Sequence, residues 1–179
     1  MSREVEVRCL QKLGERELQG LSDVLIDCVA GGASVSFMWP MTREKALAYW
    51  RDVAASAVRG ERLVFAAYDA AETIIGTVQV VFAQPENQPH RADVAKMLVH
   101  RQARRHGAGA ALLVAAERRA MEAGKTLLVL DTASDDAERL YVRQGWQLCG
   151  RIPDYALLPD GALCATTVYY KSLRVSGCG

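Results

Sequence analysis

The apolar run Val94-Ala95-Lys96-Met97-Leu98-Val99 leads through Arg104-Arg105-His106-Gly107-Ala108-Gly109 into a helix-forming stretch from Ala110 to Ala123. A strand, a basic glycine-containing turn and a helix start, in that order, expose unpaired backbone N–H groups at the positive end of a helix dipole. Gly107 and Gly109 carry no Cβ that could block an approaching group, so the passage is a candidate cradle for a pyrophosphate. Two plainer readings stand beside it. Arg101, Arg104 and Arg105 could form a solvated turn, and the glycines could serve only to let a helix pack close to a sheet.

Any anion site has to be local, because 22 Lys plus Arg against 21 Asp plus Glu leave a net charge of +1. That balance offers no general attraction to nucleic acid or to an acidic membrane, and neither is expected as a partner. A chain of 179 residues suits one domain spanning 1–179, with a disordered tail from about residue 174 to 179. Cys9, Cys28, Cys149, Cys164 and Cys178 are odd in number and show no C-x-x-C spacing, so neither a disulfide framework nor a metal site is expected. They read as small buried hydrophobes, except Cys178, which sits in a tail without a C-a-a-X lipidation pattern. The charged start Met1-Ser2-Arg3-Glu4-Val5-Glu6 lacks the apolar core of a signal peptide, and no apolar run reaches about 18 residues. A reducing cytoplasm fits this pattern.

Periodicity orders the rest. Val5, Val7 and Cys9 alternate with charged neighbours as in a half-buried strand. Leu18, Leu21, Val24, Leu25, Cys28 and Val29 recur at helical spacing until Gly31-Gly32, and Thr42 can cap a second helix from Arg43 to Arg59. An antiparallel meander follows, with strands Leu63 to Tyr68, Ile74 to Phe82 and Asp93 to Val99. After the helix beyond Gly109 come a strand from Thr126 to Leu130, a short helix ending at Gly145, and strands near Gln147 to Ile152 and Leu163 to Tyr170. The expected order is β-α-α-β-β-β-α-β-α-β-β, without repeats or linkers.

Two nucleotide-binding motifs are imitated. Gly124-Lys125-Thr126 resembles the end of a P-loop, but the first glycine would fall at Arg119, and Lys-Thr precedes a strand instead of opening a helix. Gly107-Ala108-Gly109 with Asp131 after the next strand resembles a Rossmann fingerprint, yet Leu112 occupies the third glycine position and the turn after Val99 is too long.

The order of elements and the Arg104-x-x-Gly107-x-Gly109 signature together resemble the GNAT superfamily of acetyl-CoA-dependent N-acetyltransferases, and the likeness spans almost the whole chain. A further family-like segment runs from Ala137 through Tyr141 to Gly145-Trp146. Within the superfamily the chain is similar to the tabtoxin-resistance type, through Gly31-Gly32-Ala33-Ser34-Val35-Ser36-Phe37-Met38, Arg91-Ala92-Asp93-Val94-Ala95-Lys96, Leu130-Asp131-Thr132 and the end from Pro159-Asp160-Gly161 to Leu173. The resemblance implies an α/β fold with a mixed sheet of about seven strands, splayed between the fourth and fifth and flanked by about four helices.

It also implies acetyl-CoA as acetyl donor, without a metal, and a primary amine of a small molecule as acceptor. An aminoglycoside-type antibiotic such as kasugamycin and an amino-acid-like toxin such as tabtoxinine-β-lactam both fit. Protein lysine or N-terminal acetylation, or a silent acetyl-CoA sensor, are the alternatives. By the resemblance, Met97, Leu98 and Val99 border the splay that takes the pantetheine arm, while Arg104, Arg105, His106, Gly107, Ala108, Gly109 and Ala110 hold the pyrophosphate. Ser134 stands where many relatives carry a pantetheine-contacting asparagine, and His100 reads as a surface residue.

Asp131, at the carboxyl edge of an apolar strand, is the candidate base or ammonium anchor, with helix capping alongside Thr132 and Ser134 as the alternative. Tyr141 stands where the family places the acid that protonates the leaving thiolate, with a core tyrosine as the alternative. Ser34, Phe37, Trp39, Asp93, Asp154 and Tyr155, together with Asp131, are the candidate acceptor-binding residues on what overhangs the splay; Phe37 and Trp39 could instead staple the second helix. A monomer and a homodimer are both compatible with the sequence.

Overall fold

The computed structural model describes residues 5–173; the expected disordered tail and Cys178 lie outside the described residues. The elements are β1 (Glu6–Cys9), α1 (Glu15–Ala30), α2 (Arg43–Val58), β2 (Arg62–Tyr68), β3 (Ile74–Val81), β4 (Arg91–Val99), α3 (Ala108–Glu122), β5 (Leu127–Thr132), α4 (Asp135–Arg143), β6 (Gln147–Leu157) and β7 (Leu163–Ser172). Their order is the expected one, with a single 3₁₀ turn at Arg101–Ala103 added before α3.

Three boundary differences from the sequence expectation bear on the candidate site residues. Helix α3 starts at Ala108, because Gly107 adopts a left-handed φ of 86° and ends the turn there, placing Gly109 inside the first helical turn. Strand β5 continues through Asp131 to Thr132, held by β7 opposite Val168 and Thr167. Strand β6 runs on to Leu157, so Asp154 and Tyr155 sit in a strand irregularity between Ile152 and Ala156, not in a loop.

One seven-stranded sheet has the order β1-β2-β3-β4-β5-β7-β6. Every neighbouring pair is antiparallel except β4 and β5, which run side by side. Their pairing is short: it joins Arg91 to Leu127, Ala92 to Leu128 and Asp93 to Val129, and then stops. Beyond that point Val94 to Val99 pair with no strand but β3, and the sheet divides at its centre.

Helices cover both faces, which is why the inner strands are apolar on both sides. On one face α1 and α2 bury Leu21, Val24, Leu25, Trp50 and Val53 against Val64, Ala66 and Leu98. On the other, α3 and α4 bury Leu112, Leu113, Ala116 and Tyr141 against Phe65, Val78, Val80, Ala92 and Val94. Thr42 caps α2 as expected, its hydroxyl accepting from the Lys45 N–H at 3.2 Å.

A polar knot ties α3 to the far half of the sheet. The buried Glu117 carboxylate accepts from Trp146 Nε1 at 2.7 Å and from Lys171 Nζ at 2.6 Å, and Lys171 also donates to the Gln144 carbonyl at 2.6 Å. A second tie fastens the turn after β4 to α1. Asp27 accepts from the Arg101 backbone N–H at 2.8 Å and from Arg101 Nε at 2.9 Å. Burial works against the charge of Asp27, but the hydrogen bonds from Arg101 and the charges of His100 and Arg101 outweigh it and hold the carboxyl below its ordinary value.

Removing the acceptor in Glu117→Ala strands an indole N–H and an ammonium in the interior, and urea denaturation should show a loss of about 2–4 kcal/mol. Asp27→Asn should cost roughly 1–2 kcal/mol at neutral pH. Because the folded value of Asp27 is depressed, that stabilisation is complete above the ordinary aspartate range and is lost as the pH falls through the folded value; the gap between wild type and variant should therefore close in acid denaturation series and stay constant from pH 6 upward.

Candidate functional site

Where β4 and β5 diverge, a groove of about 980 Å³ opens between them and runs to the start of α3. Its floor is β4 from Val94 to Val99, one wall is Asp131 to Ser134 with α4, and the mouth is formed by Arg104, Arg105 and Gly107 to Ala110. The α1–α2 loop covers it with Gly31 to Ser36, and Leu158 reaches in from the β6–β7 turn.

The chain makes this groove by a bulge in β4. Against β3, Leu98 pairs with Thr77 and Ala95 with Gln79, so β4 carries one residue more than its partner over this interval. Lys96 takes up the excess in a left-handed conformation, φ 52°. An extra residue shifts the alternation of side chains by one. Val94 therefore packs on the α3 face and Leu98, four residues on, packs on the α1–α2 face.

At the mouth, the first backbone hydrogen bond of α3 runs from the Ala111 N–H to the Gly107 carbonyl at 3.0 Å. The N–H groups of Ala108, Gly109 and Ala110 precede it, have no residue a full turn behind them in the helix to accept, and meet no capping side chain. A Cβ on Gly107 would meet nothing within 4 Å, whereas one on Gly109 would press to 3.1 Å from Leu140 and 3.9 Å from Val99. Gly107 thus supplies the backbone turn and Gly109 the close passage of α3 over α4 and β4. The plainer reading of the glycines as packing residues holds in part, for Gly109, and does not compete with the cradle. Arg104 Nε donates to the Val99 carbonyl at 3.2 Å, and Arg101 is committed to Asp27.

Asp131 is exposed in the groove, its Oδ2 accepting from the buried Thr166 hydroxyl at 2.7 Å. It does not cap α4: the Ser134 hydroxyl accepts from the Ala137 N–H at 3.3 Å, and the Thr132 hydroxyl accepts from the Ser134 N–H at 3.1 Å. Tyr141 lines the groove from α4 while its ring lies 5.8 Å from Trp146 and 5.9 Å from Tyr169. Burial, reinforced by the Asp131 carboxylate, drives its phenol well above the ordinary tyrosine value, so it stays protonated throughout the neutral range.

The structure brings Met97, Leu98, Val99, Arg104, Arg105, Gly107, Ala108, Gly109, Ala110, Asp131, Ser134, Tyr141 and Ser34 together around one groove. It leaves others outside. His106 is exposed in the turn but does not line the groove. Asp93 lies at the zipped end of β4, ion-paired with Arg91 and bonded by Gln84 at 2.9 Å. Asp154 and Tyr155 are exposed on the edge strand β6, away from the lining. Trp39 is 55% exposed, and its backbone N–H donates to the Pro159 carbonyl at 3.0 Å, docking the α1–α2 loop on the β6–β7 turn. Phe37 packs edge-on against Tyr49 of α2 at 5.1 Å, and the apolar residue buried just before the Thr42 cap is Met41, not Phe37 or Trp39.

Sequence reasoning passed over Lys96 and Thr166 as site residues. A lysine inside an otherwise apolar strand was the available signal for Lys96; for Thr166, whose partner is set by the β5–β7 register, there was none.

Comparison with known proteins agrees with this arrangement. The model of the acetyltransferase (GNAT) family matches residues 20–146. An N-acetyltransferase from Staphylococcus aureus superposes with a TM-score of 0.79 at 16% identity, covering 96% of this chain and 99% of that one. A phosphinothricin acetyltransferase from Sinorhizobium meliloti, solved in complex with acetyl-CoA, gives 0.76 at 15% identity over 96% of this chain and 89% of its own. A ribosomal-protein-alanine N-acetyltransferase from Brucella melitensis gives 0.75 at 19% identity over 93% and 99%. With the divided sheet, the free helix start and the family match in agreement, the chain belongs to the GNAT acetyltransferase family.

Proposed function

We propose that this protein transfers an acetyl group from acetyl-CoA to a primary amine of a small molecule in the cytoplasm, inactivating an antibiotic or toxin of the aminoglycoside or tabtoxinine-β-lactam kind. The observation that carries the reading is the parting of β4 from β5 directly beside the unpaired N-terminus of α3. An elongated ligand with a pyrophosphate at one end and an amide-containing arm fits both features at once: phosphate oxygens at the N–H groups of Ala108, Gly109 and Ala110, amides along the free edge of Val94 to Val99. The tight-turning Gly107 leaves open space where a side chain would stand, which suits that occupant. Bound acetyl-CoA would supply the activated acetyl thioester.

The side chains supply the rest. An alkyl ammonium of pKa near 10 has to lose a proton before it can attack, at a cost of about 4 kcal/mol at pH 7. Asp131 is the carboxylate that attracts the ammonium and receives that proton, directly or through water, and the Thr166 hydroxyl fixes its orientation. Tyr141, kept protonated, donates to the departing thiolate.

A small acceptor is favoured over a protein tail by the docking of the α1–α2 loop. The Trp39–Pro159 hydrogen bond and the 3.5 Å contact between Cys164 and Ser34 draw the loop across the groove onto the β6–β7 hairpin. A thiol-release assay over amine antibiotics and amino acids tests the proposal; no release with any of them would refute it.

Two substitutions examine the parts. Tyr141→Phe should lower kcat by about 10²-fold or more and leave coenzyme A affinity within a factor of about two, read by steady-state kinetics and calorimetry. Gly109→Leu, which drives a side chain into Leu140 and the groove, should weaken coenzyme A binding by more than about tenfold, whereas Arg105→Ala removes only a screened surface charge and should weaken it by a few-fold.

A further inference from the structure

Lys96 is a charged group the acetyl-transfer chemistry does not use. Its left-handed backbone at the β4 bulge is a conformation non-glycine residues seldom adopt, and it places the side chain in the groove. The ammonium donates to Ser36 Oγ at 2.9 Å, within the α1–α2 loop, and stands 6.0 Å from the Phe37 ring. It forms no ion pair among the described residues, and two of its three donors are left for another partner.

Across the same gap stands Asp131, on the strand that diverges from β4. Its carboxylate influences Lys96 electrostatically, yet it bonds to Thr166 and does not close on the ammonium. One fixed cation and one fixed anion therefore face the groove from opposite strands. Arg62, the next positive charge acting on Lys96, is occupied with Gln79 at 2.8 Å and Ser56 at 2.8 Å.

Such a pair of separated charges complements a molecule carrying the reverse pair. We infer that the acceptor is an amine that also bears a carboxylate, with its ammonium directed to Asp131 and its carboxylate held by Lys96 and Ser36. An acceptor bearing only amines would set a second ammonium against Lys96, which is unfavourable in a partly desolvated site. Burial lowers the proton affinity of Lys96 more than Asp131 raises it, with Arg62 lowering it further, and a carboxylate beside the ammonium offsets that desolvation. The inference rests on the acetyl-transfer reading of this groove and names its substrate class.

The test uses pairs of probes, each an L-amino acid and the amine that lacks only its carboxylate, such as L-lysine with 1,5-diaminopentane. Calorimetric titrations into the full-length protein, with and without coenzyme A, should show binding of at least one amino acid about tenfold or more tighter than its decarboxylated partner. Lys96→Met should reduce that preference to within about twofold while coenzyme A still binds, and Lys96→Arg should restore most of it. Equal binding of the paired probes by the wild type, or a preference that survives Lys96→Met, overturns the inference. Thiol release is followed in parallel: a carboxylate preference without acetyl transfer to any probe or antibiotic would refute the acetyl-transfer reading and leave recognition by Lys96 standing, whereas acetyl transfer without the preference would do the reverse.

Discussion

Everything at the site depends on backbone hydrogen bonds that β4 and β5 do not make. A central strand pair is the place where a sheet ordinarily gains most from continuous pairing, and an unpaired peptide group away from water is costly. Here the pairing stops after Asp93 and Val129, and a free edge from Val94 to Val99 is left facing an open groove. The inserted residue at Lys96 enforces that interruption, because it breaks the regular register with β3 and turns Leu98 to the opposite face from Val94. A divided sheet of this kind holds its shape only if other contacts fix the two halves.

Those contacts are distributed around the gap. Glu117 links α3 to Trp146 and Lys171 on the far half of the sheet, and Asp27 pins the turn after β4 to α1. The register of β5 with β7 runs unbroken from Leu127 to Thr132, which sets Asp131 beside Thr166. Supports on both sides leave the groove as the place where groups with spare hydrogen-bonding capacity collect: the first N–H groups of α3, the free edge of β4, the Asp131 carboxylate and the Lys96 ammonium. Polar groups of opposite sign held at fixed spacing are what let a scaffold recognise ligands without rearranging.

Much of this was legible in one dimension. The periodicities of α1 and α2, the Thr42 cap and the order of strands and helices all follow from local rules, and they match the structure. The turn from Arg104 to Gly109 marked the helix start whose first N–H groups meet no capping side chain, through residue types that act mainly through their own backbone. Differences arose where side-chain pairing or strand pairing, and not the local pattern, decides where a residue sits. Asp93 looked like a groove carboxylate but is held by Arg91 and Gln84, and Asp154 and Tyr155 looked like loop residues but are carried out along β6 by pairing with β7. Asp131 could have been a helix cap until Ser134 and Thr132 were seen to satisfy α4.

From the sequence alone came the order of elements and the location of the helix start that offers its amides, because helix propensity, glycine conformation and apolar period are properties of neighbouring residues, while the fold class and Tyr141 as acid candidate came from the family resemblance. Tertiary structure alone decided at which residue pair the fourth and fifth strands part, that Lys96 turns into the division, and that Asp131 and not Asp93 or Asp154 lines it. A one-residue excess in β4 has meaning only against the register of β3, and a register is a relation between strands that no single strand encodes.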